Sequence, residues 1–277
     1  MTLKLQVVGN PIAHSRSPEI HRAFARQRGI DVEYQAVRYE AGEFVSRTDA
    51  FRAAGGHGMN ITVPFKGEAH LYAAALSDAA EKAGAVNTLS FTDGGNLGDN
   101  TDGVGLVRDL KERHELPLKG ANILILGAGG ATRGVIEPLL GEDPASLTVA
   151  NRTVAKTAEL SDLWPAVQGQ ALAEYSASPH DQTLPDLIIN ATSAGLHGGG
   201  PLLNPDWLSQ AFCYDMTYGA GAEFAHWSNS QGAAVADGLG MLVEQAAESF
   251  FIWSGERVQT QPVYEQLRTE IPSPGGV

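Results

Sequence analysis

The sequence predicts an α/β protein made of two successive series of strands and helices, the second of them a doubly wound parallel sheet. Three observations carry that expectation. Short β-like runs alternate with helix-like runs along nearly the whole chain, the pattern of βαβ units. A second series begins after Asp102 and centres on an apolar run bounded by glycines. The 277 residues exceed one average domain, so one large or two modest domains are expected.

Taken in order, Leu5–Gly9 is an apolar strand, and a helix starts at Ser17-Pro18, with Ser17 as N-cap and Pro18 at the first helical position. Val32–Val37 alternates like a strand, 42–54 is helical, and Gly58–Val63 is a third strand stopped by Pro64. These imply a largely parallel first sheet. The second series reads helix 104–113, strand 121–126, helix 131–140, strand 147–150, helix 154–163, then strands 187–190 and 212–215. That is half or more of a doubly wound nucleotide-binding sheet. Helical spacing returns at 241–253 and 263–268, and the Pro-Ser-Pro-Gly-Gly end is expected to fray.

Composition narrows the function. Hydrophobic residues make up 43% and charged residues 18%, a globular balance. The net charge of −13 argues against a sequence-independent grip on nucleic acid, whose phosphates need clustered Lys and Arg. Cys213 is the single cysteine, so no internal disulfide forms and no metal site is expected. The N-terminus shows no secretory pattern, and no apolar run approaches the roughly 18–20 residues of a membrane span. A cytoplasmic protein without membrane partners, monomer or homodimer, is the expectation.

The most informative segment is Ile123–Arg133. A strand delivers the chain to Gly127-Ala128-Gly129-Gly130-Ala131, where tight turns let backbone N–H groups approach a pyrophosphate and a helix N-terminus faces its charge. Gly127 and Gly129 fit the dinucleotide fingerprint, whereas Thr132 stands where its third glycine belongs. NAD-binding sheets place an acid about 20 residues further on for the ribose 2′-hydroxyl. Here that stretch is Asn151-Arg152-Thr153-Val154-Ala155-Lys156, with two cations and no acid. Arg152 and Lys156 can flank a 2′-phosphate, with Asn151 and Thr153 as donors, so the cofactor expected is NADP. A solvated charge pair on a helix face is the alternative.

Polar clusters also punctuate the first hundred residues. His14-Ser15-Arg16-Ser17-Pro18 opens a helix where hydroxyls and free N–H groups can bind a carboxylate. Asn60-Ile61-Thr62 ends a strand, Lys66 follows Pro64, Asn87 adds an amide, and Asp99 to Asp102 add carboxylates where the second series begins. Singly, each also admits a structural role: Ser17 as cap, Asn60 and Asn87 in turns, Lys66 as a surface charge.

Over nearly its whole length the chain resembles the shikimate dehydrogenase family. The matching segments are 9–18, 60–66, 84–88, 100–103, 127–131, 151–153, 190–192 and 237–242, in the family's order and spacing. The resemblance implies two α/β domains with a cleft between them: residues 1–101, completed by 240–277, for substrate, and 102–239 as a Rossmann-type NADP domain. It implies the NADPH-dependent, reversible reduction of 3-dehydroshikimate to shikimate. Ser15 and Ser17 would hold the substrate carboxylate with Tyr218 nearby, and Asn60, Thr62, Lys66, Asn87, Asp102 and Gln245 would bind the ring hydroxyls. Thr192, Met216, Gly238 and Met241 would join the glycine turn at the cofactor. Lys156 stands where many members carry Arg, which keeps the charge and loses the planar fork.

Delivery of a hydride to a ketone carbon leaves negative charge on oxygen. Lys66 can hydrogen-bond that oxygen and supply the proton while Asp102 orients the lysine. A quinate or dual quinate/shikimate dehydrogenase on the same scaffold is the competing enzyme; quinate adds a tertiary hydroxyl beside the carboxylate. A non-catalytic NADP-binding regulator would have no need of the Lys66–Asp102 pair.

Overall fold

The computed structural model describes residues 2–177, 184–192, 203 and 205–275. The chain forms two compact units, residues 1–105 with 242–265, and residues 106–241 with 266–277. The expected division at 101/102 and 239/240 therefore shifts by a few residues, and 266–277 joins the second unit instead of the first. Arg268 ties it there by pairing with Asp237. Of the segment expected to fray, Pro274 is buried while Pro272, Ser273 and Gly275 are exposed, and Gly276 lies outside the described residues.

The first unit holds β1 (Leu3–Gly9), β2 (Val32–Arg38), β3 (Gly58–Ile61), β4 (Ala75–Leu76), β5 (Thr88–Thr92) and β6 (Gly95–Asp99), in the order β2-β1-β3-β5-β6-β4. Pairings β1/β2 and β1/β3 are parallel, but β5 runs antiparallel to both β3 and β6. This corrects the expected largely parallel sheet. The cause is local: Asp93-Gly94 lies between the paired Thr92 and Gly95, a two-residue hairpin that only antiparallel strands can use.

Helix Leu239–Ser254 completes this unit from 242 onward. Its Phe250 ring lies 5.9 Å from Phe24, and the Trp253 ring lies 5.4 Å from His21. The Trp253 indole donates to the Leu89 carbonyl at 3.0 Å. Gly58 is required beneath it, since a Cβ there would sit 2.3 Å from the indole nitrogen.

The second unit holds β7 (Asn122–Leu126), β8 (Ser146–Asn151), β9 (Val167–Ala171), β10 (Leu187–Asn190), β11 (Phe212–Asp215) and β12 (Ala234–Asp237). Their order is β12-β11-β10-β7-β8-β9, and every pairing is parallel. Ile123, Ile125, Val149 and Ile189 enter one core, and Leu124, Leu126, Ala150 and Ile188 enter another. Burial on both faces explains why these strands read as continuous apolar runs instead of alternating ones. β9 and β12 had no comparable run and escaped the sequence reading.

Helix 104–113 of the sequence reading is a helix Asp102–Arg108 that widens into a π-helical turn, Asp109–Arg113. The buried Asp109 carboxylate accepts from the Tyr214 hydroxyl at 2.7 Å and pairs with Arg113. No described helix is long and apolar enough to cross a membrane.

Candidate active site

In the first unit β3 ends at Ile61, and the chain passes Pro64 to place Lys66 at the start of helix Lys66–Tyr72. Asp102 opens helix Asp102–Arg108, where the helix dipole favours a carboxylate. The two meet: Lys66 Nζ lies 2.5 Å from Asp102 Oδ2, with 26% of the lysine side chain exposed and 12% of the aspartate. Asn87 Nδ2 donates to Asp102 Oδ1 at 2.9 Å, and the Asp102 amide donates to Asn100 Oδ1 at 3.1 Å. One carboxylate oxygen is thus spent on the scaffold and the other faces the ammonium.

Asn87 is itself fixed. Its Nδ2 also reaches Thr101 Oγ1 (2.9 Å) and Gln245 Oε1 (3.4 Å), and its Oδ1 accepts from the Thr101 amide at 2.9 Å. Lys66, Asp102, Asn87 and Gln245, all named from sequence, therefore form one cluster with Thr101.

Asn60 stands in a second cluster. Its Oδ1 accepts from the Tyr34 hydroxyl at 2.6 Å. Its Nδ2 faces the Asn87 carbonyl (3.2 Å), Thr88 Oγ1 (3.2 Å) and Ser249 Oγ (3.1 Å). Both amide protons are engaged within the protein, and its carbonyl oxygen is shared by Tyr34 and the neighbouring His21 ring. Thr62, half-buried beyond the strand end, has no such commitment among the described residues.

The helix Ser17–Arg28 starts differently from expectation. Arg16 is its N-cap and makes no side-chain cap; Ser17 is the first helical residue, with Pro18 second. Ser15 Oγ, not Ser17, meets a free amide, that of Ser17 at 3.4 Å. Ser17 is buried instead, with its hydroxyl near the Tyr34 phenol. His21, one turn further on, stacks on the Tyr34 ring at 4.5 Å. Burial pushes its imidazole down to about 3, with Asn60 opposing, so the ring is neutral. Tyr34, Thr101, Ser249 and His21 had no sequence signal beyond lying near named residues or on an apolar face.

In the second unit Gly127 follows β7 with φ +102, a value that favours glycine, and a Cβ there would lie 2.9 Å from Thr192 Cγ2. Around Gly129 and Gly130 the space a Cβ would take is open, and helix Gly130–Leu140 begins there. Thr132, the misfit in the glycine pattern, is fully buried and donates its hydroxyl to the Gly127 carbonyl at 2.7 Å. It closes the turn that Ala128 and Ala131 flank.

At the end of β8, Asn151 Nδ2 donates to the Thr153 carbonyl at 3.0 Å, ahead of helix Val154–Leu163. Arg152 and Lys156 are exposed, and neither makes an ion pair among the described residues. Two uncompensated cations beside an anion-ready helix start fit a dinucleotide carrying a 2′-phosphate.

The remaining named residues follow the ends of β10 to β12, the edge at which doubly wound sheets bind ligands. The Thr192 amide and hydroxyl donate to Asn190 Oδ1 at 3.2 and 2.7 Å, and the Met216 amide donates to the Asn190 carbonyl at 3.0 Å. Gly238 is pressed on Met216, where a Cβ would lie 2.3 Å from its carbonyl oxygen. Met241 is buried, and Tyr218 is half-buried ahead of the short turn Gly219–Gly221. Among the described residues no group of His, Cys, Asp or Glu is arranged to hold a metal ion.

Comparison with known proteins agrees along the chain. Residues 7–89 match the shikimate dehydrogenase substrate binding domain, 109–204 the shikimate/quinate 5-dehydrogenase model and 238–268 the shikimate 5′-dehydrogenase C-terminal domain. The shikimate dehydrogenase (NADP(+)) of Nitrosospira multiformis is 50% identical over 97% of this chain and 98% of its own. That of Alkalilimnicola ehrlichii is 50% identical over 98% and 100%. The solved Ael1 enzyme of Pseudomonas putida is 40% identical, with TM-score 0.88 over 96% of this chain and 98% of that one. The Thermus thermophilus shikimate 5-dehydrogenase, solved with NADP(H) and shikimate, is 28% identical, with TM-score 0.84 over 97% and 100%. With half its residues shared across almost the full length of such relatives, this chain belongs to the shikimate dehydrogenase family.

Proposed function

We propose that the chain catalyses the NADPH-dependent, reversible reduction of 3-dehydroshikimate to shikimate, with Lys66 and Asp102 as its catalytic pair. The observation that carries the reading is the 2.5 Å contact between Lys66 Nζ and Asp102 Oδ2, with the other carboxylate oxygen held by Asn87. NADPH, when bound, supplies the hydride. Lys66 as ammonium donates a proton to the ketone oxygen as negative charge gathers there, an interaction stronger in the transition state than in the bound ketone. Asp102 orients the ammonium and offers an acceptor to a neighbouring ring hydroxyl. In the reverse direction the same pair receives the proton.

Binding roles follow the same reading. Ser15 and Ser17 take the substrate carboxylate, with Tyr218 beside it. Thr62, Asn87 and Gln245 take ring hydroxyls, and Asn60 shapes the wall beside them. Gly127 to Ala131 cradle the pyrophosphate, Asn151, Arg152, Thr153 and Lys156 hold the 2′-phosphate, and Thr192, Met216, Gly238 and Met241 line the rest of the cofactor site. A cytoplasmic monomer or homodimer completes the proposal; light scattering decides the oligomeric state.

Two measurements test it. NADPH oxidation followed optically should require 3-dehydroshikimate, and shikimate should reduce NADP in preference to NAD. Lys66→Met should then lower kcat by roughly 10²–10⁴-fold, the range of general acid–base catalysis, with NADP affinity and thermal stability close to parental. A kcat within a few-fold of parental would remove Lys66 from the chemistry.

A further inference from the structure

Tyr218 sits on a turn fixed by two buried carboxylates, and we infer that this turn is a preset holder for the Tyr218 hydroxyl, with Thr217 as a positioning residue for substrate binding. The inference rests on the proposed place of Tyr218 beside the substrate carboxylate.

Asp215 and Asp237 end the neighbouring parallel strands β11 and β12, opposite each other in register, and each is 1% exposed. The Asp215 carboxylate accepts from neutral donors: the Thr217 amide (3.1 Å), the Thr217 hydroxyl (2.8 Å), Asn190 Nδ2 (3.2 Å) and the amides of Phe224 (3.0 Å) and Ala225 (3.4 Å). Asp237 accepts from the Gly219 amide (2.9 Å) and the Leu239 amide (3.2 Å), and Arg268 neutralises it.

The residues on either side of Tyr218 are therefore both held. Thr217 is gripped at its amide and hydroxyl by Asp215, and its carbonyl accepts from the Gly238 amide at 2.8 Å. Gly219 is gripped at its amide by Asp237, and its carbonyl lies 3.1 Å from His226 Nε2. Gly219 has φ +61, and a Cβ there would lie 3.0 Å from Ile271 Cγ2. The Thr217 hydroxyl also lies 2.9 Å from the Gly221 carbonyl, so its single proton is shared between the start and the end of the turn.

Burying two carboxylates is costly unless each oxygen is paired, and an ordinary surface turn needs neither. Burial pushes the Asp215 carboxyl above its ordinary value, so its charged form depends on these donors, two of which Thr217 supplies. What the arrangement secures is one conformation of the segment that carries Tyr218.

The test is a double-mutant cycle on the full-length enzyme. Thr217→Val keeps the branched shape and removes the hydroxyl. It should raise KM for shikimate about three- to tenfold, the worth of one net hydrogen bond, with kcat within twofold and a melting temperature lower by a few degrees, since Asp215 loses one donor. Thr217→Ser should restore KM. Placed on Tyr218→Phe, which lacks the hydroxyl being held, Thr217→Val should add less than twofold. An unchanged KM in Thr217→Val, while Tyr218→Phe raises it, overturns the holder and leaves the reading of Tyr218 standing. Equal factors in both backgrounds, or Thr217→Ser behaving like Thr217→Val, overturn it too. An unchanged KM in Tyr218→Phe removes Tyr218 from the substrate site and the holder with it.

Discussion

Arg152 and His21 illustrate how differently single side chains can act in this chain. Arg152 stands exposed just past the end of β8, with no anion paired to it among the described residues. Its loss should cost the protein little and the cofactor much. Arg152→Ala should weaken NADP by roughly 1.5–3 kcal/mol, the worth of a charged hydrogen bond, and leave NAD nearly unaffected. Titration of both cofactors by fluorescence checks this, and equal losses would mean that Arg152 does not read the 2′-phosphate. His21 is the reverse case, buried and neutral. An unfolded imidazole titrates near 6.5, whereas burial holds this one down to about 3. The folded state therefore loses stability as pH falls from 6.5 toward 3, by about 1.4 kcal/mol per pH unit for one proton. His21→Phe, which keeps a ring against Tyr34, should lack about 2 kcal/mol of the stability loss that the parent shows between pH 6.5 and pH 5. Urea unfolding at several pH values measures it, and identical slopes would remove His21 as the source.

Among elements, the helix Leu239–Ser254 does for the first unit what no local segment does. Phe250 is fully buried against Phe24 and His21, and Trp253 roofs Gly58. Phe250→Ala should destabilise the protein by about 3–5 kcal/mol, read from the urea midpoint, because the cavity cannot be filled from one side. Elements were legible in the sequence where their chemistry is local. The glycine turn after β7, the cations after β8 and the Lys66 and Asp102 segments all declare themselves within a few residues. The β5–β6 hairpin was equally local, in Asp93-Gly94, and went unread beside the stronger polar motifs. What could not be read is what arrives from afar. Ser249 reaches Asn60 across 189 residues, and Tyr34 on β2 lies against the hydroxyl of Ser17, which is the first helical residue and not the cap. Periodicity marks such residues as facing inward and says nothing of what they meet.

At the scale of the whole molecule, neither unit is one continuous stretch of chain, since 242–265 belongs with 1–105 and 266–277 with 106–241. A fragment of residues 1–105 alone lacks the helix that covers Phe24, His21 and Gly58. It should show no cooperative thermal transition by circular dichroism, whereas 1–105 joined by a flexible linker to 242–265 should show one. Cooperative melting of the bare 1–105 fragment would mean that the helix is an accessory.

The same interleaving sets a timetable for the newborn polypeptide. At about 5–20 residues per second, a ribosome that has finished residue 105 needs roughly 7–27 s more to reach residue 242. Throughout that interval the surface that Phe250 and Trp253 will cover stays open to whatever is nearby, which makes the interval a window for chaperones or for aggregation. Completion comes almost at once for both halves, since the last segments of each lie within residues 242–277. A premature stop anywhere in residues 106–241 therefore leaves two unfinished bodies, rather than one finished enzyme half and one missing.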